Sequence, residues 1–280
     1  TALFVSRMLV LIFSSRWPCL ILGWDGLGFR SYFLVIYYLN ASSKTSGLVT
    51  ILSNRVGDSF LILAIVRFLA SRVRSHTTHL SSLAVLLLLL TAITKRAIFP
   101  YCVWLPEAIA APTPISSLVH SSTLVTAGVF LMFTSVHSGV NYILMPLLVL
   151  SLTALILACS ARVSCVDVKK LVALSTISQL AFIIIPISVL APILGFSHLL
   201  THATFKSCLF ISVGGFMHTR ERTQDGRIIS SGQLITRCAP LIVRGLRLCG
   251  FTFASAFFSK EFILIQLWRS TPRWLSGIMR

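Results

Sequence analysis

Charge is what this sequence has least of, and acidic charge above all. Its 280 residues include seven Asp and Glu against 24 Lys and Arg, so only 11% are charged, less than half the roughly 25% of an ordinary soluble domain. That shortage excludes a water-soluble globular fold. Long hydrophilic connections are missing too. The main ones, 39–46, 71–79 and 218–232, are too short to fold as separate soluble domains, so a single transmembrane domain over 1–280 is expected. No C-x-x-C pair occurs. The seven cysteines, at 19, 102, 159, 165, 208, 238 and 249, are irregularly spaced and lie mostly in apolar runs, which argues against an iron–sulfur cluster or a disulfide framework. They read as small core residues. No repeat of 20–50 residues and no low-complexity tract is present.

What the chain does have is apolar length. Hydrophobic residues make up 56% of it, and the windows 19–38, 47–70, 115–136, 142–161, 171–192 and 194–217 each approach the roughly 20 residues that cross a bilayer as a helix. These are continuous runs rather than roughly ten-residue alternating strands, which excludes a membrane β-barrel. The expected class is all-α, a polytopic bundle of transmembrane helices. The net charge of +17 is spread in short groups such as "RVR" (72–74), "DVKK" (167–170) and "RER" (220–222), mostly between spans. No nucleic-acid partner is expected. Basic residues fall on both sides of the expected spans, so they do not set an orientation.

One segment resists a straight helix. In "TAITKRAIFPYCVWLPEAIAAPTPIS" (91–116) four prolines interrupt an apolar run. Pro100 and Pro106 lack an N–H and would leave the carbonyls of Arg96 and Cys102 without their helical donors, so a helix break is expected at both. Broken helices at membrane depth are tolerated only against protein or water.

A charged side chain at the bilayer centre costs about 2.5–3.5 kcal/mol on insertion scales, so each one within a span needs a reason. In "HLLTHATFK" (198–206), His198, His202 and Lys206 recur at i, i+4 and i+8, along one helix face with about 6 Å of rise per step. A zinc-protease site would need Glu after the first histidine, where Leu199 stands, so no metal is expected. Cross-bundle hydrogen bonds with a snorkelling lysine are the simpler alternative. Asp25, Arg55, Asp58, Lys95, His120, Lys260 and Glu261 fall at comparable depth. Lys95 facing Asp25 could change protonation state as its partner moves, and histidine can relay protons in either direction. Arg55 and Asp58, at i and i+3, read as a structural ion pair.

The blocks "GWDGLGFRSYFLVIYY", "LSNRVGD", "WLPEAIAAPTPISSLVHSSTLVTAG", "DVKKLVALSTISQL", "HLLTHATFKSCLFISVGG" and "FFSKEF" occur in the order found in the NADH dehydrogenase subunit 5 family. From about residue 20 to 264 the chain resembles these antiporter-like, proton-pumping membrane subunits of respiratory complex I. The resemblance implies discontinuous helices at 83–111 and near 250–268. It implies a proton-transfer chain in which Asp25 is the acidic partner of the pump lysine Lys95, His120, His198, His202 and Lys206 form the central relay, and Lys260 beside Glu261 is the exit-side lysine. The chain departs from the family pattern at three positions. Arg96 follows the pump lysine where a small residue is usual. Thr252 stands where proline is usual, and Arg30 lies in a span that is usually apolar.

The same resemblance implies a subunit of proton-translocating NADH:ubiquinone reductase with no redox site of its own, in the mitochondrial inner membrane. NADH, FMN, iron–sulfur clusters and ubiquinone would be bound by other subunits. Its partners would be the other membrane-arm subunits, including the neighbouring antiporter-like subunit 4, accessory subunits and lipids such as cardiolipin. Family members are longer, with helices before residue 1 and, after the last lysine, further helices and a long lateral helix. A fragment or truncated form is therefore expected, in keeping with the short opening run "TALFVSRMLVLIF". Two alternatives are a cation/proton antiporter subunit, which shares the broken helix and the "HSST" block, and a purely structural membrane-arm scaffold.

Overall fold

A computed structural model describes residues 2–14, 16–75, 82–109, 111–118, 123–136, 144–218, 243, 245–247, 249–251 and 254–278. These residues are overwhelmingly helical, and they divide into two compact units, 1–143 and 144–280.

The first unit holds α1 (Ala2–Phe13), α2 (Trp17–Val35), α3 (Ala41–Ser75), α4 (Ser82–Lys95), α5 (Trp104–Ala108), α6 (Thr113–Leu118) and α7 (Leu124–Val136). Pro18 in the first turn of α2 costs no hydrogen bond, because the first four N–H groups of a helix have no partner within it. A 3-10 turn, Ile36–Tyr38, and a left-handed Leu39 close α2. The expected hydrophilic connection 39–46 is thereby reduced to two residues, with 41–46 already helical. So short a link makes α2 and α3 antiparallel neighbours. Against the rest of the unit, α3 packs on α2, α4 and α5, and α4 packs on α3 and α7.

The proline-rich segment breaks as expected, but at one proline rather than two. α4 ends at Lys95 in a Schellman motif: left-handed Ala97 (φ 54°) donates to Thr94 O, and the Ile98 N–H donates to Ile93 O. The indole of Trp104 donates to the same Thr94 carbonyl at 2.9 Å. Residues 96–103, with a cis Phe99–Pro100 bond, lead into α5. Pro106 breaks nothing, because it lies in the first turn of α5, where no intrahelical donor is required. Of the window 115–136, α6 and α7 cover 115–118 and 124–136, and 119–122 lie outside the described residues.

The second unit holds α8 (Leu144–Ser164), α9 (Val168–Ser188), α10 (Pro192–His218) and α11 (Ser255–Ile278). α9 packs against α8, α10 and α11 and is buried over most of its surface. It also ends in a Schellman motif, at left-handed Leu190, with the Ala191 N–H donating to Pro186 O. Pro192 then starts α10. Before α11 the chain turns at Gly250 (φ 83°), a conformation glycine adopts without strain. Thr252 lies outside the described residues.

Among the described residues five helices, Trp17–Tyr38, Ala41–Ser71, Leu144–Ser164, Val168–Ser188 and Pro192–His218, are long and apolar enough to cross a membrane. Large apolar side chains such as Phe13, Ile156, Val163 and Ile193 point outward, as they do where lipid is the solvent. The cysteines do the same. Cys19, Cys159, Cys208 and Cys249 are exposed, and Cys102 and Cys165 partly so, which corrects their reading as core residues: in a bilayer an apolar run does not imply an inward face. Cys238 lies outside the described residues.

Candidate functional site

In the first unit the ionisable residues gather around Asp58. Along α3 the buried positions 43, 46, 47, 50, 54, 57, 58, 61, 64 and 65 recur every three or four residues, so helical period alone turns Asp58 inward. Its Oδ1 accepts a 2.9 Å hydrogen bond from Trp24 Nε1 on α2 and lies 3.6 Å from Lys95 Nζ at the end of α4. The amine also sits over the Trp24 ring, 5.1 Å from its centroid, a cation–π arrangement. Gly28 makes room for it, since a Cβ there would stand 3.4 Å from Nζ.

Asp25 is placed differently from the expectation. It follows Trp24, about 100° around the helix, and its carboxylate accepts a 2.7 Å charge-assisted bond from Arg55 at the edge of the cluster. It makes no ion pair with Lys95 among the described residues; Asp58 is the acid that meets the lysine. The expected Arg55–Asp58 contact is present at 3.5 Å, but it is shared rather than closed, because Asp58 also holds Lys95 and Trp24. With Asp25 and Asp58 ionised and Arg55 and Lys95 protonated, the four charges sum to zero. Among the described residues Lys95 Nζ makes no hydrogen bond shorter than the 3.6 Å contact with Asp58 Oδ1.

Arg96 lies on the other side of α4 from this cluster. Fully buried, it reaches toward α7, where one guanidinium nitrogen lies 3.1 Å from Met132 Sδ and its stem passes Gly128. Its Nε and remaining guanidinium nitrogen have no hydrogen-bond partner among the described residues. The neighbouring cation therefore does not share the Lys95 pocket. Arg96→Met should raise the thermal stability of the assembled protein by about 1–3 kcal/mol, the cost of a buried polar group left unsatisfied. It should leave Lys95-dependent activity unchanged. A lower melting temperature would show that the guanidinium is stabilising after all. Arg30 is half-buried on α2.

In the second unit α10 buries a single stripe, Gly195, His198, His202, Lys206, Leu209, Phe210, Val213 and Met217. The i, i+4, i+8 trio forms its polar part, with the two imidazole centroids 6.5 Å apart. Lys206 is fully buried. Its ammonium donates to the Val172 carbonyl at 3.1 Å and to Ser175 Oγ, both on α9. Ser175 in turn donates to Val172 O at 2.6 Å. No carboxylate pairs with Lys206 among the described residues. His198 Nδ1 lies 2.9 Å from Ser259 Oγ on α11, and its ring meets Phe182 edge-on at 5.4 Å. Ser259 donates its own proton to Ala256 O, so the bond to Nδ1 is satisfied when Nδ1 carries the hydrogen. That tautomer leaves the lone pair on buried Nε2, which has no partner among the described residues, as a proton acceptor.

Lys260, on α11, is half-buried with its stem 3.3 Å from where a Cβ on Gly250 would stand. Glu261 is exposed. His120 lies outside the described residues. Sequence reasoning missed Trp24, Ser175 and Ser259 altogether and gave Asp58 only a structural part. The sole signal for them was polarity on a buried face.

The NADH:quinone oxidoreductase/Mrp antiporter transmembrane family matches residues 14–279. The chain belongs to that family. It is 42% identical to NADH-ubiquinone oxidoreductase chain 5 of Mytilus edulis over 95% of its own length and 48% of that protein. Against chain 5 of Anopheles arabiensis it is 41% identical, covering 94% of this chain and 71% of that one. The chain thus spans about half the length of the Mytilus relative. Among solved structures it resembles a chain of the Mrp complex from Dietzia sp. DQ12-45-1b, with a TM-score of 0.84 and 26% identity over 94% of this chain and 31% of that one. A chain of the membrane-bound sulfane sulfur reductase, an archaeal respiratory membrane complex, shares the fold at a TM-score of 0.85 and 18% identity, covering 94% of this chain and 58% of that one. The antiporter-like membership expected from the quoted blocks is thereby established, as is the polytopic helical fold.

Proposed function

We propose that this chain is part of a membrane-arm subunit of NADH:ubiquinone oxidoreductase and that its two buried charge sites, one in each unit, take up and release protons. The observation that carries the reading is the setting of the two lysines. Lys95 and Lys206 lie in membrane helices at 2% and 0% exposure, a placement that is costly and usually functional.

Each setting suits both protonation states. With Lys95 protonated its cluster is neutral; when the proton leaves, the cluster carries one net negative charge and attracts the next proton. At Lys206 the ammonium donates to Ser175, and after deprotonation the amine lone pair can accept from the Ser175 hydroxyl instead, so the bond reverses rather than breaks. His198 Nε2 offers an acceptor on the same stripe.

No redox chemistry is assigned to this chain. NADH, FMN, the iron–sulfur clusters and ubiquinone belong to other subunits on this reading. Its neighbours would be further membrane-arm subunits, among them antiporter-like subunit 4, accessory subunits and lipids such as cardiolipin, in the mitochondrial inner membrane.

Lys95→Met and Lys206→Met keep side-chain length and remove the titrating group. In the assembled complex each should lower protons moved per NADH, or coupled turnover, by about tenfold, the effect of roughly 1.4 kcal/mol on a barrier. Wild-type pumping in both would end the proposal. The likeness to the Mrp complex favours a second reading, cation/proton antiport. Redox-independent sodium uptake by vesicles carrying the complex, abolished by the same two substitutions, would favour it over the first.

A further inference from the structure

The two ends of the α2–α3 hairpin differ in charge. At the α2–α3 connection stand Tyr37 and Tyr38, exposed and edge-to-face at 5.4 Å, with Lys44 exposed in the first turn of α3. At the opposite end Trp17 of α2 meets Phe68 of α3, their ring centroids 5.3 Å apart. Arg16 and Arg67, each one residue before its ring, are both exposed. Neither guanidinium makes an ion pair among the described residues. The sequence holds no Asp or Glu before Asp25 or between Asp58 and Glu107, so neither helix offers these arginines an acid short of the central cluster.

That cluster fixes their level. Arg16 precedes Asp25 by nine residues on α2, and Arg67 follows Asp58 by nine on the antiparallel α3. At 1.5 Å per residue both lie about 14 Å from the cluster, in the same direction. From Trp17 to Tyr38 the chain rises about 32 Å, close to a hydrocarbon core of about 30 Å. The ring pairs therefore mark the two membrane interfaces, where Trp and Tyr collect, and the arginines stand at headgroup level on one of them. Apolar side chains point outward around them: Phe13 at the end of α1, and Val66 and Leu69 on α3. A single arginine at a helix end often does no more than lift its charge out of the hydrocarbon. Two of them, brought to one level by different helices beside one aromatic pair, offer guanidinium forks that match phosphate oxygens. The apolar rim below matches an acyl chain.

We propose that Arg16 and Arg67, with the Trp17–Phe68 pair beneath them, hold the headgroup of an anionic phospholipid at one membrane face. Charge and shape together select this occupant. A free phosphate would satisfy the guanidiniums and leave the rings and Phe13 without a partner, whereas a zwitterionic lipid would bring a cation of its own to a place that already has two. The site stands under either reading of the buried charges, proton pumping or antiport, because neither arginine belongs to them.

The test uses the assembled complex in bilayers of mixed phosphatidylcholine and phosphatidylglycerol, with a photoreactive diazirine placed near the headgroup of one lipid or the other. In the wild type the phosphatidylglycerol probe should label the peptides around Arg16 and Arg67 at least about fivefold more than the phosphatidylcholine probe, the contribution of one basic residue at an anionic surface. Arg16→Gln with Arg67→Gln should bring the two probes level, and Arg16→Lys with Arg67→Lys should keep most of the preference, since the charge remains. Millimolar inorganic phosphate should not displace the probe. Equal labelling by both probes in the wild type, or no labelling of either peptide, overturns the proposal, and this comparison decides even where the glutamine variant fails to assemble. An undiminished preference in the glutamine variant, an equal loss in both variants, or displacement by inorganic phosphate overturns it as well.

Discussion

Asp58→Ala is expected to lower stability by about 3–5 kcal/mol, the usual result of leaving a buried charge without its partner, and to reduce the amount of assembled complex accordingly. The substitution strands Lys95, whose amine has no other acid within 4 Å among the described residues, and it removes the acceptor of the Trp24 indole. Asp25→Ala should behave quite differently. Its carboxylate is 38% exposed within the chain, and Arg55 keeps Asp58 at 3.5 Å. A change within about 1 kcal/mol is expected, typical of a partly exposed pair. The double substitution Asp58→Leu with Lys95→Met should recover assembly, because an apolar pair can replace a buried ionic one, while leaving pumping low. Thermal denaturation of the purified complex and its yield on native gels measure these differences. Equal damage from Asp25→Ala and Asp58→Ala would mean that the wrong acid has been placed at the centre.

The second large effect is steric. A Cβ on Gly57 would collide with Thr94 Oγ1 and stand 3.2 Å from Thr94 Cβ, one residue before Lys95. Threonine is stiff at χ1, and its hydroxyl is already committed to Thr91 O at 2.8 Å, so the side chain cannot simply swing aside. Gly57→Ala must push α3 and α4 apart, at a cost of about 1–3 kcal/mol typical of overpacking. It should also lengthen the Lys95–Asp58 contact, so both melting temperature and pumping should fall. Gly57→Ala combined with Thr94→Ala should restore both in large part, because the clash is with that one side chain. Failure of the second substitution to rescue would place the strain elsewhere.

The trio on α10 was legible in advance because its residues are local. Three polar side chains at i, i+4 and i+8 must share a face, and in an otherwise apolar helix that face has to find protein or water. The broken helix was legible for a similar reason, since proline chemistry acts within one turn. The partners were not legible. Trp24 and Asp58 are 34 residues apart, and Ser175 meets Lys206 across 31; such pairings depend on how helices pack rather than on any spacing within one of them. Asp58 was assigned to Arg55 because a local partner was available, and the lysine from another helix could not be seen. Arg96 shows the same limit. It follows Lys95 in sequence, but consecutive residues near a helix end point about 100° apart, and the two cations face different helices.

The early end of α4 has one more consequence. The helix closes with Lys95 in its final turn. The aligned peptide dipoles there amount to about half a negative charge, fixed in place by the backbone and unable to ionise or diffuse away. An arriving cation is thus partly compensated before any carboxylate moves, and what Asp58 must add is only the difference.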